Sequence, residues 1–167
     1  QNIKDFTIVV ISSAIKKNNP EFIEARRKKL PIIKRGKMLA NLVSFMKNIV
    51  VVGSHGKTTT TSLVSSIFEK TKLDPTIING GIINSIKSTA KLGKSDWSIL
   101  EADESDGSFT HISPTYSIIT NIDREHMDFY KSMKDLKNHF LHFIKKVPSF
   151  GKTFICIDDK INNELSK

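Results

Sequence analysis

Apolar, strand-like runs alternate with helical patterns along almost the whole sequence. Strands are predicted, in chain order, at residues 6–12, 30–34, 48–53, 75–81, 97–103, 116–122 and 153–158. Helical spacing is found between them, at residues 19–29, 37–46, 57–70 and 133–147. Continuous Ile/Val-rich strands that alternate with helices are typical of a mostly parallel sheet with helices on both faces. We therefore predict an α/β fold.

Two of the predicted helices begin with capping signals. Asn19 precedes Pro20, which is an N-cap followed by proline at the first helical position. Ser132 and Asp135 form a pattern similar to a capping box. The predicted helix at residues 133–147 has apolar residues at spacings of 3 and 4, which predicts one face packed on the sheet: Met133, Leu136, Phe140, Phe143 and Val147.

The composition predicts a protein of a reducing cytoplasm. The chain has no run of 18 apolar residues and no signal-peptide pattern at its start. Its single cysteine, Cys156, cannot form an internal disulfide. Because Cys156 lies in the apolar run "FICI", we expect a buried, inert side chain rather than a nucleophile.

The net charge of +9 does not by itself indicate a nucleic-acid partner. The chain has 22 Lys against 4 Arg, together with 23 Ile and 11 Asn, a bias expected from an A/T-rich genome. The basic residues are scattered, without a block of five or six and without interleaved aromatic residues. Solvated helix faces explain the charge, and we predict neither a nucleic-acid nor a membrane partner.

The stretch "VVGSHGKTTTT", residues 51–61, resembles a phosphate-binding loop. Val51 stands where the full G-x-x-x-x-G-K-[ST] pattern has its first glycine, so the loop is predicted to begin at Gly53. It lies between a predicted strand and a predicted helix, as a phosphate site requires. Lys57 is then expected to contact phosphate, and the Thr58 hydroxyl to bind Mg²⁺.

Two further strand ends carry polar clusters. The run "ILEADESDGSF" places four carboxylates after a buried strand: Glu101, Asp103, Glu104 and Asp106. The run "TNIDREHMD" places a second group after the next strand: Asn121, Asp123, His126 and Asp128. Ligands of open α/β sheets bind beyond the carboxyl ends of the strands. We therefore expect Lys57, Glu101 and His126 to meet at one edge of the sheet.

The three stretches "GSHGKTTTT", "EADESDGSF" and "TNIDREHMDFY", in this order and at these separations, resemble the central domain of the Mur ligases. Residues 9–42 resemble the end of the N-terminal, uridine-nucleotide-binding Rossmann-like domain of that family. The resemblance implies two domains: residues 1–47, the last part of the Rossmann-like domain, and residues 48–167, an incomplete ATP-binding domain.

The resemblance also implies a reaction and its residues. The expected enzyme is an ATP-dependent ligase that joins L-alanine to UDP-N-acetylmuramate through an acyl phosphate, with ATP and Mg²⁺ as cofactors. Lys57, Glu101 and His126 would be catalytic, and Thr58, Glu101 and His126 would hold Mg²⁺. Ser12 and His55 would face the sugar nucleotide. ATP would be bound by the whole loop: Gly53, Ser54, His55, Gly56, Lys57, Thr58 and Thr59.

Alternatives remain open from the sequence. A murein tripeptide recycling ligase belongs to the same family, but its acidic segment would carry Tyr in place of Ser105, so "ESDGSF" favours the alanine-adding reaction. An unrelated P-loop ATPase or nucleotide-binding module is the other alternative. The family's first glycine-rich loop and its C-terminal domain are not found in these 167 residues, so we expect little or no ligase activity from this chain alone.

Overall fold

The computed structural model describes residues 6–166. The chain begins with a small parallel sheet of two strands, β1 (Val9–Ile11) and β2 (Ile32–Lys34). Helix α1 (Pro20–Arg27) connects these strands, and α2 (Arg35–Leu42) follows them directly. This is the β-α-β-α order predicted from the sequence, with shorter strands.

The remaining strands form one sheet of six: β3 (Lys47–Val52), β4 (Thr76–Ile83), β5 (Ser88–Lys91), β6 (Trp97–Glu101), β7 (Tyr116–Ile119) and β8 (Lys152–Ile155). Their order across the sheet is β5-β4-β6-β3-β7-β8. Every neighbouring pair is parallel except β4 and β5. The predicted α/β fold with a mostly parallel sheet is confirmed, although strand β5 was not predicted.

Strand β3 is the buried centre of this sheet. Val50, Val51 and Val52 are fully buried because β6 and β7 flank the strand. Helix α3 (Lys57–Glu69) packs against β3, β4 and β6. The core that includes Val50 and Val52 also contains residues of α2 and of α4 (Met133–Ile144).

The predicted helix caps are present. The Asn19 side chain accepts from the N–H groups of Glu21 and Phe22, and the Ser132 hydroxyl accepts from the N–H of Asp135. Helix α4 buries the predicted stripe through Leu136, Phe140 and Phe143, although it ends at Ile144 rather than at residue 147. No helix within residues 6–166 is long and apolar enough to cross a membrane.

Helix α2 belongs to the core of the larger sheet. Ala40 and Val43 are buried in the same apolar cluster as Val50. At the start of the helix, a Cβ on Gly36 would lie 2.3 Å from the Ser108 hydroxyl oxygen, so the helix backbone is in close contact with a 3₁₀ turn at Ser108–His111. The division of the chain before residue 48 stays a prediction, and α2 packs across it.

Cys156 is exposed, and its predicted burial was wrong. The run "FICI" was interpreted as a buried strand, but β8 lies at an edge of the sheet and ends at Ile155, one residue before the cysteine. Phe154 and Ile157 are 57% and 62% exposed at the same edge. A local apolar run therefore predicts a strand, but it does not predict whether that strand lies in the centre or at the edge of the sheet.

Candidate functional site

Three adjacent parallel strands end at one edge of the large sheet. Strand β3 pairs with β6 in a register that places Val51 opposite Glu101, and it pairs with β7 so that Val52 lies opposite Ile119. The loops that follow the three strands therefore meet. They border a cleft of about 950 Å³ whose lining includes Lys57, Glu101, Glu104 and His126.

The loop after β3 depends on two glycines with positive φ. Gly53 has a φ of 135°, and a Cβ there would lie 2.2 Å from the Thr120 hydroxyl oxygen at the end of β7. Gly56 has a φ of 79° and is the N-cap of α3. A Cβ on Gly56 would meet nothing within 4 Å, so the loop faces open space at the helix start. A helix N-terminus with open space before it suits an anion.

Asn121 holds the loop in this shape. Its side-chain oxygen accepts from the N–H of His55 at 2.8 Å, and its side-chain nitrogen donates to the His55 carbonyl at 3.0 Å. Its backbone carbonyl accepts from the N–H of Ser54 at 3.0 Å. The amides of Ser54 and His55, predicted to contact ATP, are therefore already bonded. The first N–H groups of α3, at Lys57, Thr58 and Thr59, have no helical acceptor and remain available to a bound anion.

Lys57 is surrounded by three acceptors. Its ammonium donates to the carbonyls of Gly53 and Ser54 at 2.7 and 3.2 Å. It also forms an ion pair with Glu104, with 2.9 Å between Nζ and Oε2. The lysine thus lies folded over its own loop.

Thr58 and Glu101 form the oxygen pair predicted from the sequence. The Thr58 hydroxyl donates to Oε2 of Glu101 at 2.9 Å, across the gap between the loop after β3 and the end of β6. The same carboxylate oxygen accepts from the N–H of Gly80 at 2.8 Å. Hydroxyl and carboxylate oxygens are the protein ligands that Mg²⁺ prefers, so the donor set fits this cation.

His126 lies beside Glu104, whereas the sequence reasoning placed it with Glu101. The distance from Nε2 of His126 to Oε1 of Glu104 is 3.4 Å. The backbone of His126 has a φ of 56°, a left-handed conformation that is uncommon for residues other than glycine but that histidine adopts more often than most. Glu104, Glu125 and His126 bring one ligand atom each within 4.8 Å of one another, so this part of the cleft could also hold a cation.

Glu104 is the site residue that the sequence analysis did not single out. It was one of four carboxylates after β6, yet its side chain is only 2% exposed and it contacts both Lys57 and His126. Burial raises the pKa of the Glu104 carboxyl above its ordinary value, and the neighbouring Lys57 ammonium partly offsets the rise. The sequence offered one signal for Glu104, its position directly after a buried strand. Its burial could not be predicted, because burial depends on how the loops after the neighbouring strands fold.

Two predicted substrate contacts lie away from the lining of the cleft. The His55 ring is 58% exposed and faces Asp123, with 3.1 Å between Nε2 and Oδ2. The Ser12 hydroxyl accepts from the N–H of Ala14 at 3.3 Å. The neighbouring Ser13, not Ser12, lines the cleft. The roles of Ser12 and His55 stay predictions.

Comparison with known families identifies the family to which this fold belongs. Residues 51–167 match the Mur ligase middle domain. Residues 1–47 match a second description, "Mur ligase family, catalytic domain". The chain belongs to the Mur ligase family.

The similar curated proteins carry one function in their names. The UDP-N-acetylmuramate–L-alanine ligase of Pelagibacter ubique is 77% identical over 165 residues, which are 99% of this chain and 36% of that protein. The ligase of the same name from an Anaeromyxobacter species is 50% identical over 158 residues, 95% of this chain and 34% of that protein. The chain thus spans about a third of the length of these relatives.

Solved structures of the family have the same fold. The UDP-N-acetylmuramate-alanine ligase of Thermotoga maritima superposes with a TM-score of 0.89 at 28% identity, over 98% of this chain and 38% of that chain. A UDP-N-acetylmuramate:L-alanyl-γ-D-glutamyl-meso-diaminopimelate ligase from Neisseria superposes with a TM-score of 0.78 at 25% identity, over 88% of this chain and 51% of that chain.

Proposed function

We propose that this chain is the ATP-binding part of a cytoplasmic ligase that joins L-alanine to UDP-N-acetylmuramate, a step of peptidoglycan precursor synthesis. The observation that carries the proposal is the meeting of three strand ends at one cleft. They supply a lysine at a helix start, a Thr–Glu oxygen pair and a histidine beside a buried carboxylate. Phosphoryl transfer to a carboxylate needs this combination of fixed positive charge and cation ligands.

In the proposed reaction the lactyl carboxylate of UDP-N-acetylmuramate attacks the γ-phosphorus of ATP, and ADP leaves. The amine of L-alanine then attacks the carbonyl carbon of the acyl phosphate, loses a proton, and phosphate leaves with the formation of the amide. Lys57 and the free N–H groups at the start of α3 stabilise the negative charge on the transferring phosphoryl group. No protein nucleophile is required in this scheme.

The residues around Thr58 suit a magnesium ion. Thr58 and Glu101 would hold one Mg²⁺, and His126 would take part in binding a second. When bound, the cation supplies charge neutralisation between the phosphate oxygens and the attacking carboxylate. The N–H of Gly80 fixes the Glu101 carboxylate, and a side chain at position 80 would displace it, because a Cβ there would lie 2.7 Å from Oε2.

The choice of alanine over a tripeptide rests on two supports. The acidic segment has Ser105 where the recycling ligases are expected to have tyrosine. The relatives at 77% and 50% identity are both named alanine ligases. A pocket that admits a tripeptide must be larger than a pocket for a single amino acid. A comparison of the two acceptors measures which of them the enzyme prefers.

The test uses the complete ligase that contains this chain. Phosphate release is measured with ATP, Mg²⁺ and UDP-N-acetylmuramate, with either L-alanine or the tripeptide L-Ala-γ-D-Glu-meso-diaminopimelate as the acceptor. We expect release that requires the sugar nucleotide and favours L-alanine. ATP hydrolysis that is indifferent to UDP-N-acetylmuramate would refute the proposal and favour a general P-loop ATPase. A preference for the tripeptide would favour the recycling reaction.

A further inference from the structure

Glu104 is the buried anion of this site. Among residues 6–166, it is the one carboxylate whose residue is buried, at 1% exposure. An ionised carboxylate loses its hydration when it is buried, and this is unfavourable unless other charges compensate for it. A buried carboxylate at the edge of a cleft is therefore expected to be held there by specific partners.

The backbone of Glu104 is fixed from two sides. Its carbonyl accepts from the N–H of Gly107 at 3.0 Å and from the hydroxyl of the fully buried Tyr130. The carbonyl of His126 accepts in turn from the N–H groups of Phe129 and Tyr130, both at 2.9 Å. Tyr130 thus joins the turn after β6 to the turn that contains His126.

The two carboxylate oxygens face two different side chains, an ammonium and an imidazole ring. Oε2 lies 2.9 Å from the Lys57 ammonium, and Oε1 lies 3.4 Å from Nε2 of His126. Among the described residues neither oxygen has a well-aligned hydrogen-bond donor, so both contacts are close charge contacts rather than hydrogen bonds of good geometry. One buried carboxylate therefore connects the loop after β3 with the loop after β7.

The three acceptors around Lys57 are not equally replaceable. An ammonium has three N–H donors, and here they face two loop carbonyls and Glu104. A phosphate that binds Lys57 must replace at least one of them. Separating Lys57 from Glu104 leaves a buried charge without compensation, which costs more than leaving a neutral backbone carbonyl of Gly53 or Ser54 without a donor. The phosphate is thus expected to replace a carbonyl, while Glu104 retains the ammonium.

We propose that Glu104 is a positioning residue, which holds the Lys57 ammonium and the His126 ring at fixed places on either side of its carboxylate. The proposal rests on the proposed ligase function for its catalytic consequence, but not for the contacts themselves. A carboxylate beside a histidine ring fixes which ring nitrogen carries the proton. Nε2 is the ring nitrogen near Glu104, at 3.4 Å from Oε1, so the carboxylate favours the proton on Nε2 and leaves the other nitrogen of His126 for a cation.

The first test needs no catalysis. The chain is labelled with ¹⁵N-histidine, and the ring signals of His126 are compared among the wild type, Glu104→Gln and the control Asp96→Asn. Asp96 is an exposed carboxylate before β6, at the opposite end of the strand from Glu104, and it pairs with Lys47. We expect the His126 ring to have one dominant tautomer in the wild type and in D96N, and a mixture in E104Q. Unchanged ring signals in E104Q would overturn the proposal.

The second test measures turnover in the complete ligase. Removal of a partner that orients an active-site ligand typically costs about 10–100-fold in activity or metal affinity. We expect E104Q to lower kcat by that factor, with the KM for L-alanine unchanged, while D96N matches the wild type. Glu104→Asp keeps the charge but has a shorter side chain, so its kcat is expected to lie between those of E104Q and the wild type. It also provides the measurement if E104Q does not fold. Wild-type kcat in both Glu104 variants would overturn the proposal.

Binding of Mn²⁺ separates positioning from direct coordination. If Glu104 acts through His126 and Lys57, E104Q should retain measurable Mn²⁺ binding by titration calorimetry, whereas Glu101→Gln should lose more affinity. A greater loss in E104Q than in E101Q would make Glu104 a metal ligand and overturn the positioning role. If the wild-type enzyme ligates no alanine, the proposed function is wrong. The comparison of His126 tautomers still tests the role of Glu104, because it requires no catalysis.

Discussion

The strands β1 and β3 are both short runs of valine and isoleucine, yet they have different environments. Val10 in β1 is 45% exposed, whereas Val50 in β3 is fully buried. Strand β1 has one neighbour in its sheet, and β3 has β6 and β7 beside it with helices above and below. Burial therefore follows from the number of neighbours, and the buried strand is the one followed by the glycine-containing loop at Gly53 and Gly56.

The largest difference between the two strands is expected in the residues that follow them. Replacing Lys57, after β3, by alanine removes the charge that is proposed to stabilise the transferring phosphoryl group, and we expect turnover of the complete ligase to fall by about 10²–10³-fold. The control is Lys16→Ala, an exposed lysine after β1 that should leave turnover unchanged. Phosphate release at saturating substrates provides the measurement. Similar rates for both variants would remove Lys57 from the proposed mechanism.

A second pair of variants measures burial directly. Val50→Ala removes two methyl groups from a packed core and should destabilise the chain by about 2–3 kcal/mol. The same change at Val10 should cost about 0.5 kcal/mol, because the side chain is half exposed. Urea unfolding followed by circular dichroism gives both values. Equal losses would mean that the two-stranded sheet is as well packed as the six-stranded one.

A third pair concerns the loop itself. Gly53→Ala places a Cβ against Thr120 in a backbone conformation that alanine avoids, so we expect a loss of about 2 kcal/mol and weaker binding of ATP. Gly56→Ala has the same backbone problem but open space around it, and about 1 kcal/mol is expected. Thermal unfolding and nucleotide titration compare the two. A larger loss at Gly56 would show that contact with β7 is unimportant.

The smallest effect is expected at the sheet edge near β4 and β5. The Lys91 ammonium, 2.7 Å from the Asp74 carboxylate, lowers the pKa of that exposed carboxyl. A carboxyl with a lowered pKa in the folded state contributes stability above its ordinary pKa of about 3.9, and the contribution is lost as the pH falls through the folded value. The Tm difference between wild type and Asp74→Asn should be small at neutral pH and should vanish in acid. A difference that grows on acidification would contradict this pairing.

The fold was largely predictable because its signals are local. The run "NIVVV" before Gly53 predicted β3, and the spacing in residues 133–147 predicted α4. Strand β5 was missed because "STAK" has no run of β-branched or aromatic residues, and its pairing with β4 supplies the structure. The burial of Cys156 was predicted wrongly because position within a sheet is a long-range property.

The sequence predicted several residues of the cleft but not the contacts among them. The motifs named Lys57, Glu101 and His126, and the parallel order of the strands brings them to one cleft. The sequence could not predict that Asn121 would bond both backbone groups of His55, 66 residues earlier in the chain. The burial of Glu104 likewise depends on contacts made across the cleft.

The Lys57 ammonium already contacts two carbonyls and a carboxylate, and this has a consequence for selectivity. A ligand gains from this lysine only the difference between its own acceptor and the carbonyl that it replaces. A neutral hydroxyl is no better an acceptor than a carbonyl and gains nothing, whereas an anionic phosphate oxygen forms a stronger, charge-assisted bond. The loop thus discriminates against neutral ligands before any group recognises the base or the sugar, and a nucleoside without phosphates is expected to bind poorly.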